Sequence, residues 1–90
     1  MKTGIELITE ERQRQIEKEG WTEEHDDEHV DGDLAQAAAA YATNLITLWP
    51  WEYESWRPSV DDRRKNLIKA GALIAAEIDR VNRALAKKEA

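Results

Sequence analysis

Trp49, Trp51, Tyr53 and Trp56 lie within one short stretch of a chain that has four Trp and no Phe. Tryptophan is a large apolar side chain with one polar handle. A cluster of it either stacks on a planar ligand, such as a nucleobase, or plugs the open end of a helical hairpin. The two roles are compatible, because different rings can serve each. Phosphate-holding chemistry is available elsewhere in the chain. Arg12 and Gln15 stand near the N-terminus, with Arg63, Arg64 and Lys69 further on, and guanidinium suits bidentate contact with phosphate. The competing role for Arg12 is an ion pair with Glu77.

His25, Asp26 and His29 are the candidate metal ligands. Imidazole with carboxylate suits a divalent transition metal, and His25 and His29 share a face if the segment is helical. The pattern is not that of the zincins, which have Glu directly after the first His. The competing reading is an acidic loop whose histidines are held by neighbouring carboxylates. A magnesium-dependent chemistry also comes into view. Small helical nucleotide pyrophosphohydrolases of the MazG kind clamp magnesium between a Glu-x-x-Glu pair and a Glu-x-x-Asp pair on neighbouring helices. This chain has no Glu-x-x-Glu; Glu24 to Asp27 and Glu28 to Asp31 fall in the acidic segment, and no acid follows Asp33 in the next helix. No nucleophile–base pair stands out, and no cofactor is expected.

The elements that must position these residues are helical. The first helix is expected over about Ile5 to Glu19. Thr3 and Glu6 have the spacing of a capping box, and Gly20 supplies the stop. Ile5, Ile8 and Ile16 mark its apolar face, and Arg12 and Gln15 fall on that same face. The second helix is expected over about Asp33 to Thr47. Its stripe is Leu34, Ala38, Tyr41, Leu45 and Leu48; the rest is mostly Ala, and Pro50 closes it. The third begins after Pro58 and runs from about Val60 to Lys88. Ser59 and Asp62 stand at its start, and its stripe is Leu67, Ala70, Ile74, Ile78, Val81 and Leu85. Gly71 and Ala75 form a small face. The third helix outruns the second, so its uncovered half must pack on the first helix or on another subunit.

Composition bounds the rest. Ninety residues make one domain, 1–90, with a marginal core, and self-assembly is expected on that ground too. The net charge is −6, from 19 acids and 13 bases. Seven of those acids lie between Thr22 and Asp33, where there is no Lys or Arg. The remainder is close to neutral, which argues against bulk nucleic-acid binding. No Cys is present, and no apolar run approaches the ~20 residues that span a bilayer. The first residues turn acidic too early for a signal peptide. The expected location is cytosolic, without membrane contact.

Glu11-Arg12-Gln13-Arg14-Gln15-Ile16, Glu19-Gly20-Trp21-Thr22 and Glu24-His25-Asp26-Asp27 together resemble a family of small phage and prophage proteins. Trp49-Pro50-Trp51, Trp56-Arg57-Pro58 and Lys69-Ala70-Gly71-Ala72-Leu73-Ile74-Ala75-Ala76-Glu77-Ile78 are similar to the same family, so the resemblance spans nearly the whole chain. It implies a viral origin. Phage accessory proteins of this size include helical oligomers that sequester nucleotide signals of bacterial immunity, an analogy of size and class. The resulting expectation is an all-α protein, a long antiparallel hairpin plus an N-terminal helix, that binds a nucleotide-like ligand as a homo-oligomer without turnover. Arg12, Gln15, Trp21, Trp51, Trp56 and Lys69 are the expected ligand contacts. The alternatives are a metal-dependent nucleotide pyrophosphohydrolase and a protein inhibitor of a host factor.

Overall fold

A computed structural model describes residues 1–89. Its elements are α1 (Gly4–Glu19), α2 (Glu23–Asp27), α3 (Asp33–Thr43) and α4 (Arg63–Glu89), with single 3-10 turns at Ile46–Leu48 and Tyr53–Ser55. Among the described residues there is no strand, so the all-α expectation holds. No helix of the described residues is long and apolar enough to cross a membrane.

The start of α1 forms as its residues dictate. Thr3 accepts from the Glu6 N–H while the Glu6 carboxylate accepts from the Thr3 N–H, closing the capping box. The helix stops at Gly20, whose φ of 73° is the left-handed conformation that costs Gly little. The α3–α4 hairpin makes the core. Leu34, Ala37, Ala38, Ala40 and Tyr41 of α3 meet Ala70, Leu73 and Ala76 of α4, and Trp49 closes the end. Alanine on both sides brings the two backbones close. Trp21, Leu48, Trp51 and Trp56 pack around that centre half-buried.

Four expectations are corrected. The acidic segment is not all loop: Thr22 caps it by accepting from the His25 N–H, and Glu23–Asp27 is helical. The second helix ends at Thr43, four residues early, because Asn44 takes a left-handed cap (φ 58°). Leu45 is therefore exposed and not part of a buried stripe. The third helix starts at Arg63, where the Asp62 side chain caps the Lys65 N–H. Finally, the apolar face of α1 is not its buried face throughout. Ile5 is 80% exposed, whereas Gln15 is 1% exposed.

Long-range ion pairs dock the short acidic helix. Asp27 Oδ1 accepts from Arg83 Nη2 at 2.8 Å and from Nε at 3.1 Å. Asp26, fully buried, accepts from Arg12 Nη2 at 2.6 Å. Arg12 is thus paired with Asp26 rather than with Glu77, which is held by Arg80 Nε at 2.5 Å. Helix α1 packs on α4 at Gly71, where an added Cβ would lie 2.5 Å from Ile8 Cδ1. A side chain at position 71 is admitted only if the end of Ile8 turns aside.

Candidate functional site

Two adjoining cavities open beside the aromatic loop, one between it, α1 and the start of α4, the other between it, the end of α1 and the α2 segment. The larger has a volume of about 750 Å³, the smaller about 420 Å³. Glu19, Trp21, Trp49, Ser55 and Arg57 line both. The larger is within the size range of small-molecule sites.

The aromatic loop is tied within itself and to α4 by hydrogen bonds. Trp49 is 6% exposed and its indole Nε1 donates to Ser55 Oγ at 2.9 Å. Tyr41 stacks on Trp56 with centroids 4.8 Å apart, and Trp49 meets Trp51 edge-on at 5.0 Å. Asn66 is buried on α4 and grips Ser59 twice. Its Oδ1 accepts from the Ser59 N–H at 2.8 Å, and its Nδ2 donates to the Ser59 carbonyl at 3.1 Å. Lys69 Nζ donates to the Arg57 carbonyl at 2.9 Å and to Ser59 Oγ at 3.0 Å, and lies over the Tyr41 ring at 5.4 Å. Burial pushes the Lys69 ammonium below its ordinary value and the Tyr41 phenol above its own. Trp49 and much of Trp56 are therefore plug; Trp21 and Trp51 present surface to the cavities.

The larger cavity has two electrostatic walls. Glu10, Glu11 and Glu19 come from α1, and Arg57, Arg64, Lys65 and Lys69 come from the far side. Arg14 bridges the acidic wall. It makes a two-pronged contact with Glu11, both bonds 2.8 Å, and donates to Glu19 at 3.0 Å, and these carboxylates raise its pKa further. Gln15 lies deep in the same cavity. Its Nε2 donates to Glu11 Oε2 at 3.3 Å, while its Oε1 accepts from no protein donor. The amide cannot be turned the other way, because an ionised carboxylate only accepts. Trp51 Nε1, on the smaller cavity, is likewise buried and donates to no protein acceptor. A buried polar group without a partner costs about 1–3 kcal/mol, so each of these atoms is a place where a ligand group adds stability.

Of the residues singled out from sequence, Gln15, Trp21, Trp49, Arg64 and Lys69 line the larger cavity, and Trp21, His25, His29, Trp49 and Trp51 the smaller. Arg12 lines neither; its guanidinium is taken by Asp26 and by the Trp21 carbonyl at 3.2 Å. Trp56 lies behind, against Tyr41. Sequence reading passed over Glu11, Arg14, Arg57, Lys65 and Asn66 as site residues. Arg14 was detectable, because it is spaced to reach Glu11 and sits among residues with no apolar neighbour. Asn66 carried no signal.

The metal candidates do not assemble. Asp26 spends one oxygen on Arg12 and the other on His25 Nδ1, 3.0 Å away. His29 Nδ1 bonds Asp33 Oδ2 at 3.1 Å. The imidazole centroids are 4.8 Å apart, but no group of three His, Asp or Glu side chains among the described residues is placed to hold an ion. Each histidine is held by a carboxylate, His25 by Asp26 and His29 by Asp33.

No protein-family model, curated protein or solved structure matches this chain.

Proposed function

We propose that this chain is a phage-encoded binder of a small nucleotide-like ligand, which it holds without turnover as a homo-oligomer and so withdraws a signal of bacterial immunity. The observation that carries the binding reading is the pair of orphaned buried atoms in adjoining cavities, Gln15 Oε1 and Trp51 Nε1. One needs a donor and the other an acceptor, and the edge of a nucleobase carries both. Trp21, stacked on His25 on one side with centroids 6.0 Å apart, lines both cavities, and its other face is where the base would stack. Arg64, Lys65 and Lys69 stand on the cavity wall where a phosphate would lie, in the part Arg12 was expected to play. The viral origin and the immune signal rest on the sequence resemblance and on analogy of size.

Tryptophan fluorescence and calorimetry against mono-, di- and cyclic nucleotides test the reading. Binding tighter than millimolar, weakened at least tenfold by Gln15→Leu and by Lys65→Ala with Lys69→Ala, is the expected result. The bound nucleotide should be recovered intact by chromatography. If nothing in the panel binds, or if binding is indifferent to all these changes, the reading falls. Recovery of a cleaved nucleotide would replace it with the hydrolase reading.

A further inference from the structure

Helix α4 has two apolar faces, and the larger side chains are on the wrong one for a lone domain. Its inner face against α3 is Ala70, Leu73 and Ala76. Its outer face is Leu67, Gly71, Ile74, Ile78, Val81 and Leu85, at alternating steps of four and three residues. The five large side chains of that outer face are 38% to 54% exposed. Among the described residues, only Leu34 and Leu73 are fully buried large aliphatics of the core. Steps of four and three are the register of helices that wind around one another, knob into hole.

The occupant is indicated by three features. The stripe between Leu67 and Leu85 is flanked by Ile68, Ala70, Ala75, Asn82 and Ala84, and by one charged residue, Glu77, which is paired with Arg80. Molecules of net charge −6 repel one another, and on this face the only carboxylates brought together are the two Glu77 groups near the axis, each paired with its own Arg80. The stripe is also its own complement. Turned end for end about Ala76, Leu67 falls opposite Leu85, Ile74 opposite Ile78, and Gly71 opposite Val81. The notch at Gly71 is filled by Ile8 of α1, so the partner's Val81 would meet an apolar surface there too. Antiparallel pairing sets each helix dipole against the other favourably.

We infer that the outer face of α4 binds the same face of a second copy of this chain, antiparallel, about a two-fold axis near Ala76. This deepens the self-association in the proposed function by naming its surface and geometry. The paired stripe spans about 27 Å, at about 1.5 Å per residue.

Light scattering at micromolar concentration should give twice the 10.3 kDa chain mass. Ile78→Glu should give a monomer that keeps its helical circular dichroism. A wild type that is monomeric overturns self-association altogether. A wild-type oligomer that Ile78→Glu leaves intact overturns only this surface. The chain has no Cys, so introduced thiols report geometry directly. Leu67→Cys mixed with Leu85→Cys should cross-link on oxidation, whereas Leu85→Cys alone should not. Cross-linking of Leu85→Cys to itself overturns the antiparallel arrangement. If Ile78→Glu fails to fold, the cysteine pair decides, and absence of the mixed cross-link counts against the inference. Nucleotide titration of the folded monomer then reports on the cavities separately.

Discussion

Arg12 Nη2 lies 2.6 Å from Asp26 Oδ2, and both groups are largely out of water, with Asp26 wholly so. A second Arg12 nitrogen bonds the Trp21 carbonyl. The turn from α1 into α2 is therefore set by one guanidinium, and with it the position of Trp21 at the cavities. Removing Arg12 strands a buried carboxylate. Arg12→Met is expected to cost about 3–5 kcal/mol, while Arg12→Met with Asp26→Leu should recover most of it, because a buried pair is often replaceable by packed apolar groups. Urea unfolding of the two variants checks this. A double variant no better than the single one would show that the pair contributes more than the exchange of charge for apolar contact.

The docking of α2 on α4 has a pH signature. The Arg83 hydrogen bond, aided by charge attraction, lowers the Asp27 carboxyl below its ordinary 3.8. A depressed folded pKa contributes stability that is complete above the unfolded value and is lost as pH falls through the folded one. Urea midpoints of wild type and Asp27→Asn should thus differ near neutrality and converge below pH 3.8. A difference that persists unchanged into acid would show that the charge of Asp27 is not what docks the helix.

Gly71 tests the packing of α1 on α4. A Cβ there meets the far end of the Ile8 side chain, which can rotate. Gly71→Ala also gains about 1 kcal/mol of helix propensity, so it should be near neutral. Gly71→Leu has no such escape and should cost about 1–3 kcal/mol by overpacking. Thermal melts of both, alone and with Ile8→Ala, separate the terms. Ile8→Ala should rescue Gly71→Leu in part.

These relationships show which physics was legible in the chain. Signals local in sequence came through: the Thr3–Glu6 box, the Gly20 stop, the Ala-rich centre of the hairpin, and Gln15 as a polar residue on an apolar face. Partners distant in sequence did not. Arg12 sits as close to Glu77 as to Asp26 in any pattern argument, and only the course of the chain through Gly20 brings Asp26 to it. Arg83 and Asp27 are 56 residues apart, so the contact that docks α2 left no local trace, although Thr22 ahead of Glu23 and Glu24 was a helix-start signal hidden in the acidic run. The α4 stripe was legible as apolar but not as outward, because period alone does not say which of two apolar faces turns inward. Asn66, a single amide on a long helix, gave no sign that it would clamp Ser59.

Gln15 sets stability against binding. Its carbonyl is buried without a protein donor, and such a group costs about 1–3 kcal/mol. Gln15→Met keeps the length of the side chain, removes that carbonyl, and gives up one hydrogen bond to Glu11, which Arg14 still holds by two others. The unliganded protein should therefore become more stable by about 1 kcal/mol, the usual outcome where a native residue serves a ligand rather than the fold. Nucleotide affinity should fall in the same variant. Unfolding midpoints without nucleotide, set beside calorimetric titrations with it, measure both effects. A variant that is less stable and binds equally well would make Gln15 a structural residue and remove the main support for a base edge at this position.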